Sequence, residues 1–311
     1  MAVIPLDELP ELTHQFDGLD VFIVGGFVRD KLRPDAEPSD VDLMVAGVSR
    51  EEMLDRKFKE IDSPNNETFG VFQDAFGREV ALAREESSTG DGHTDFSIEP
   101  VDPSVPAREA LRRDLKRRDF TVNAMAYSFD GTLFDPHGGV SDIAGGELAN
   151  TPIIRHVDES AFKQDPLRIL RGARFAARLD GAINSETNYL MSQMVDSLEH
   201  LPQERVRMEM EKAFKQADEP SKFFRVLSAI DALPHTFPEL EALKGRPAGP
   251  EEWHKEGSAY RHTMMVLDEM AAIRPHDELA LLMALAHDFG KAKTPRQELP
   301  SHPDHGRAGL D

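Results

Sequence analysis

Val21-Phe22-Ile23-Val24-Gly25-Gly26-Phe27-Val28-Arg29-Asp30, followed by Ser39-Asp40-Val41-Asp42-Leu43, is the stretch whose reading decides the fold. It reads as an apolar strand, a tight glycine turn, a helix opening, and a strand edge carrying two aspartates. Side chains alternate along a strand, so Asp40 and Asp42 project from the same face. Two neighbouring carboxylates repel each other unless a cation lies between them. Gly25 and Gly26 let backbone N–H groups approach an anion at a helix start. Arg29, on the first helical turn, is placed to grip a triphosphate. A divalent-metal site beside a phosphate site is the equipment of phosphoryl or nucleotidyl transfer.

Working outward, short apolar strands are expected near 21–24, 41–45, 70–74, 79–83 and 132–134. A helix over about 50–60 opens at Ser49, with Glu52 three residues later as a capping box. Residues 85–105 are polar, hold Gly90, Gly92, Pro100 and Pro103, and read as a mobile loop. From about residue 158 the period becomes helical. Helices are expected over 158–179, 185–200, 203–217, 220–231 and 259–291, with Pro202 and Pro220 as breaks and 238–257 as a linker.

The chain has 311 residues, enough for two or three domains. Its net charge is −21, and it holds 24 Arg against 12 Lys. An acidic, Lys-poor composition points to a salt-rich cytoplasm; ordinary mild acidity is the plainer alternative. The charge argues against a nonspecific nucleic-acid binder in dilute buffer but leaves room for a local basic cleft. Cysteine is absent, which excludes disulfides and thiolate chemistry. No stretch approaches 18 apolar residues and the N-terminus lacks a signal-peptide pattern, so the expected location is cytoplasmic.

Four further groups carry candidate chemistry. Glu79, in Arg78-Glu79-Val80-Ala81-Leu82, is either a third carboxylate on a neighbouring strand or a solvent-facing residue. Arg117-Arg118-Asp119 could bind phosphate and a ribose hydroxyl, or form a solvated helix end. Asp165, Arg168, Arg171 and Arg174 step by three and line one helix face, with Leu167 and Leu170 on the core side. A carboxylate beside a guanidinium can read the edge of cytosine or adenine; an ordinary salt bridge is the alternative. Lastly, His262, His287-Asp288 and the following Gly290-Lys291 fit a metal site of imidazole and carboxylate ligands.

The runs GGFVRD, SDVDLMVAG, REVALARE, LKRRDFTVNAMA, DPHGGVSDI, QDPLRILRGARFAARL and LPQERVRMEMEKAF occur in one order across roughly residues 20–217. Together they resemble the class II CCA-adding tRNA nucleotidyltransferases, in the polymerase β-like superfamily shared with bacterial poly(A) polymerases. Residues 234–309, with FPELEALKG, WHKEG, HT, LAHDFGKAKTP and HPDHGRAG, resemble the HD domain appended to one bacterial branch. The resemblance implies an α+β fold: a polymerase β-like head with a mixed sheet (1–150), then an all-α neck (151–235) and a partial helical HD domain (236–311).

It also implies site roles. Asp40 and Asp42 would hold two Mg²⁺ ions, with Glu79 a further catalytic candidate, and Gly25, Gly26 and Arg29 would hold the triphosphate. Arg118 and Asp119 would act at the phosphates and ribose. Asp165 and Arg168 would read the base, supported by Arg171 and Arg174, and the loop over 85–105 would match the flexible element of CCA-adding enzymes. Gln164 replaces the usual acid before Asp165. In the HD module, His262, His287 and Asp288 would form a second site for Ni²⁺, Mn²⁺ or Mg²⁺. That family expects a further aspartate beyond residue 311, so His302, His305 or Asp311 would have to substitute, and weak or no phosphohydrolase activity is expected. The implied partners are tRNA, CTP and ATP, no membrane, and a homodimer or a partner chain supplying the C-terminal region. The implied activity is addition of C, C and A to the tRNA 3′ end. The alternatives are a poly(A) polymerase, an A- or CC-adding enzyme, or an HD-type 2′,3′-cyclic phosphodiesterase or phosphatase.

Overall fold

The computed structural model describes residues 11–34, 36–61, 70–88, 96–146 and 151–309, without the side chains of 86–88 and 96–98. The chain divides into two compact units, 1–165 and 166–311.

The first unit is built on β1 (Asp20–Val24), β2 (Asp42–Ala46), β3 (Lys59–Glu60), β4 (Val71–Gln73), β5 (Glu79–Leu82), β8 (Ala126–Ser128) and β9 (Leu133–Phe134). They form one sheet in the order β3-β4-β5-β2-β1-β8-β9. Among the described strands of this sheet only β2 and β5 run parallel, so the sheet is mixed, as the resemblance implies. Val21, Phe22, Ile23 and Val24 are all buried, which marks β1 as a strand covered on both faces. On one face Phe22, Val24, Met44 and Ala46 pack with Ala110, Leu111 and Leu115 of an amphipathic helix.

Among the described residues, five helices belong to this unit: α1 (Gly26–Lys31), α2 (Arg50–Asp55), α3 (Ala107–Lys116), α4 (Gly139–Ile143) and α5 (Glu159–Gln164). Ser49 Oγ accepts from the Glu52 amide at 3.2 Å, the cap expected for α2. That helix ends at Asp55, and the chain then enters β3, which lacked a visible hydrophobic signal.

The segment expected as a loop over 85–105 is in part a hairpin. β6 (Arg84–Ser88) pairs antiparallel with β7 (Phe96–Pro100), from Arg84↔Pro100 to Ser88↔Phe96. Its tip, 89–95, lies outside the described residues. The first strand is wholly polar and the second offers only the short Phe96/Ile98 alternation, so the backbone ladder and not an apolar pattern supplies the order. The continuous helix expected over 158–179 is also interrupted. Asp165 is extended (φ −127°, ψ 104°) because Pro166 crowds the residue before it out of the helical region.

The second unit is helical: α6 (Leu167–Arg178), α7 (Ser185–Gln193), α8 (Gln203–Gln216), α9 (Ser221–Ala229), α10 (Leu233–Thr236), α11 (Pro238–Lys244), α12 (Ala259–Ile273), α13 (Glu278–Ala286) and α14 (His305–Ala308). α6 packs against α8 and α9, and α12 against α13. The first seven residues of the expected 238–257 linker are therefore α11, which starts on a proline at its first position, where the missing N–H costs nothing. The expected 259–291 helix breaks between Ile273 and Glu278, and Asp277 caps the new start by accepting from the Ala280 amide. No helix among the described residues is long and apolar enough to cross a membrane.

Candidate active site

The strand–turn–helix at 20–31 needs its glycines. Gly25 has φ +72°, and a Cβ there would stand 3.3 Å from Arg118 Nη1 and 3.6 Å from Asp42 Oδ2. A Cβ on Gly26 would press to 2.8 Å from Ser39 Oγ. The glycine turn thus lies beside both a cation and an acid.

Three acids share the edge of the sheet. β2 begins at Asp42, with Asp40 two residues earlier and exposed. The parallel pairing of Leu43 with Val80 brings Asp42 level with Glu79, the exposed first residue of β5. Burial pushes the Asp42 carboxyl up to about 6, and the charges of Glu79 and Asp40 push the same way against the pull of Arg118. A carboxylate in this state is short of positive charge, which suits a divalent cation.

Behind the acids runs a buried polar network. Arg29 is 1% exposed. Its guanidinium donates to Asp30 at 2.8 and 3.0 Å, to Asn123 Oδ1 at 2.6 Å and to Ser39 Oγ at 3.4 Å. Asp30 also accepts from the Ser39 amide at 3.2 Å and from the Ser39 hydroxyl. Asn123 in turn donates to Asp119 Oδ1 at 3.2 Å, and Asp119 accepts from the Phe120 amide at 2.8 Å. Arg29, expected to grip a triphosphate, therefore turns inward and holds Ser39, the residue before Asp40. The reason is Asp30: a buried carboxylate captures the adjacent guanidinium bidentately. Asp119, expected at the ribose, is likewise buried and engaged with the backbone.

Asp114 does for Arg118 what Asp30 does for Arg29. It is buried and accepts from Arg117 at 2.6 and 3.1 Å and from Arg118 at 2.9 and 3.1 Å. Burial alone would raise its carboxyl, but Arg117, Arg118 and Arg84 hold it far below the usual range. Arg118 also donates to the Asn123 carbonyl at 3.2 Å, which aims its guanidinium at the Gly25 turn. Asp30, Asp114, Asn123 and Ser39 were not singled out in the sequence. The signal was present: each of these acids sits within four residues of an arginine that was.

The base-reading candidates divide. Asp165 closes the first unit, and Arg168 lies on the first turn of α6 in the second, half-buried. Arg171 lies over the Phe175 ring at 5.5 Å. Arg174 is 4% exposed, stacks on Phe175 at 4.1 Å and donates to Glu209 at 2.6 Å and Gln216 at 3.0 Å. It ties α6 to α8 and is buried where Arg171 is half-buried, because a step of three drifts round the helix into the core.

In the second unit the three metal candidates do assemble. One ligand atom from each of His262, His287 and Asp288 falls within 4.8 Å of the others. His287 Nε2 is 3.2 Å and His262 Nε2 4.0 Å from Asp288 Oδ2. Lys291 Nζ approaches the same oxygen at 2.7 Å. Burial works against the Asp288 charge, but His287 and Lys291 outweigh it and hold the carboxyl far below its usual range.

With this geometry in hand, the chain can be set beside known proteins. A family model described as the poly A polymerase head domain matches residues 21–149, and one described as the probable RNA and SrmB-binding site of polymerase A matches 182–244. The multifunctional CCA protein of Nitrosococcus oceani is 42% identical over 297 residues, covering 94% of this chain and 68% of its own length. The chain belongs to the multifunctional CCA protein family. Two solved structures share the fold of this CCA-type chain. The Thermotoga maritima CCA-adding enzyme complexed with tRNA is 25% identical, with TM-score 0.58 over 94% of this chain and 65% of that one. A tRNA-processing enzyme with CTP is 26% identical, with TM-score 0.57 over 90% and 72%. Nucleotidyltransferases of this family need a divalent metal, and Asp40, Asp42 and Glu79 all fall inside the matched head segment.

Proposed function

We infer that this chain is a CCA tRNA nucleotidyltransferase, which adds C, C and A to the 3′ end of tRNA from CTP and ATP and releases pyrophosphate. The observation that carries this is the three-acid edge of the head, with Asp42 raised to about 6, in a chain of the CCA family. Relatives of the same fold are solved with CTP, with ATP and with tRNA.

Asp40, Asp42 and Glu79 would hold the divalent ions, which we take to be two Mg²⁺. Bound there, such ions supply activation of the RNA 3′-hydroxyl and charge neutralisation on the triphosphate. Arg118, held in one orientation by Asp114, presents its positive charge to the phosphates above the Gly25 turn. Arg29 and Asp30 act one step back, fixing Ser39 and with it the approach of Asp40. Asp165 and Arg168 would select the base by donor and acceptor matching, with Arg171 beside them and Arg174 bracing their helix. In the second unit we read His262, His287 and Asp288 as ligands of a separate transition-metal ion: two imidazoles converge on one buried carboxylate.

The test is direct. The chain is incubated at molar KCl with tRNA lacking CCA, with tRNA ending in C-C, and with each labelled NTP, and the 3′ ends are sequenced. Two C and one A on the first substrate, and a single A on the second, are expected. Runs of A on either substrate would make it a poly(A) polymerase. Extension of only one substrate would make it an A- or CC-adding enzyme.

A further inference from the structure

Three arginines of the head crowd one carboxylate, and the side chains of only two of them reach it. Asp114 accepts five hydrogen bonds: from the Arg84 amide at 3.2 Å, from Arg117 at 2.6 and 3.1 Å, and from Arg118 at 2.9 and 3.1 Å. An ionised carboxylate offers about four lone-pair positions, so nothing is left for a third guanidinium. Arg84 therefore meets Asp114 through its backbone alone. Its side chain makes no hydrogen bond and no ion pair among the described residues, and its Nε is buried without a partner. Two nearby acids are engaged elsewhere: Arg113 donates to Glu85 at 2.9 Å and to Glu109 at 3.1 Å.

The Arg84 guanidinium feels both sides of the active site. Burial and the charge of Arg117 pull it down to about 10; Arg118 acts the same way, and Asp114 and Glu79 oppose them. It is still charged at neutral pH. Glu79 belongs to the acid edge, and Arg118 Nη1 lies 3.3 Å from where a Cβ on Gly25 would stand. Arg84 is thus coupled both to the acids and to the guanidinium aimed at the glycine turn. Three guanidiniums around one buried carboxylate leave a surplus of positive charge. A buried guanidinium with no counter-charge works against folding, and a ligand that brings the missing anion removes that cost. A phosphate brings about two negative charges and several acceptor oxygens, and arginine forks fit it bidentately.

We propose that Arg84 is a phosphate-binding residue of the active site, which with Arg117 and Arg118 forms an anion site beside the acid edge for a phosphate group of a substrate. This rests on the reading of the head as a nucleotidyltransferase, and the experiment separates the two. The triphosphate of the incoming nucleotide is the expected source of that phosphate, because Arg118 already points at the glycine turn. A phosphodiester at the RNA 3′ end is the other source. CTP with Mg²⁺ is titrated into the chain by calorimetry in the absence of RNA, so that nothing turns over. Binding of tRNA lacking CCA is measured separately, without nucleotide. Arg84→Gln should weaken CTP binding about tenfold or more and leave tRNA affinity at the parent's value. It should also keep or raise the melting temperature of the ligand-free chain, since it removes an uncompensated buried charge. Any loss of tRNA affinity at that melting temperature keeps Arg84 as a phosphate ligand and brings the RNA phosphate into the site. If Arg84→Gln melts below the parent, Arg84→Lys carries the comparison. It keeps the charge, gives up the planar fork, and should bind the same ligand several-fold more weakly at the parent's melting temperature. Parental affinity for both ligands in the deciding variant overturns the role of Arg84 and leaves the reading of the head standing. A parent that binds neither CTP nor tRNA overturns both.

Discussion

The acid edge of the head and the histidine cluster of the second unit solve the same problem in opposite ways. Both hold ligands in place through a buried partner. In the head, Asp30 fixes Arg29 and Asp114 fixes Arg118, while the three acids in front face one another with little positive charge between them. In the second unit the central acid is already compensated: Lys291 and His287 approach Asp288, and its carboxyl is driven down where that of Asp42 is driven up. A site left with excess negative charge suits a hard, strongly charged ion carried in with phosphates. A compensated site lined by imidazoles suits a softer ion bound by coordination. The sign of the pKa shift at the central carboxylate separates the two kinds of site.

The comparison can be broken at its strongest point first. Asp42→Ala removes a carboxylate that nothing nearby replaces, and should lower CTP incorporation on the order of a thousandfold or more at saturating Mg²⁺. Near-normal incorporation by that variant would remove the head acids from the mechanism. Asp30→Ala leaves the Arg29 guanidinium buried and unpaired, and should cost about 3–5 kcal/mol in urea unfolding. A loss under 1 kcal/mol would show that Asn123 and Ser39 suffice. Arg168→Ala should lose about 1–3 kcal/mol of discrimination against UTP and GTP, read from relative kcat/KM for the four nucleotides, with triphosphate binding largely kept. Unchanged selectivity would reduce Arg168 to an ion-pair partner.

The smallest effect concerns pH. Asp42 is raised from 3.8 to about 6. Between those values the folded chain keeps a proton that the unfolded chain has lost, so the ion-free chain should lose stability as pH rises through this window. The decline from pH 4.5 to 6.5 should be steeper in wild type than in Asp42→Asn, and Mg²⁺ should flatten the difference. Identical melting curves for the two ion-free proteins would mean that Asp42 is neither held up by burial nor crowded by its neighbouring acids.

Much of the head was legible because its signals are local. Apolar runs bounded by glycine gave five strands, and Ser49 with Glu52 gave a helix start. The ladder Arg84–Ser88 with Phe96–Pro100 was not legible, since Arg84-Glu85-Glu86-Ser87-Ser88 is wholly polar and the short Phe96/Ile98 alternation lies among glycines and prolines. Pro166 was visible, yet its consequence was missed: it places Asp165 off the helix that carries Arg168. Arg29 was assigned to the triphosphate and Arg174 to the support of the base-reading pair. Each proved to be buried against a carboxylate, Asp30 and Glu209.

By itself the sequence determined the residue types and their short spacings: the glycine turn, the paired aspartates, the arginine repeat and the separated His and His-Asp. Those are properties of periodicity and local backbone, which a few neighbours fix. Only the tertiary structure decided direction and charge state. It turned Arg29 inward and Arg118 toward the turn, and brought Glu79 level with Asp42 across the parallel pair. The physical reason is that burial, register and the choice among hydrogen-bond partners depend on groups far apart in the chain. Those same distant groups set whether a carboxylate waits for a cation or already has one.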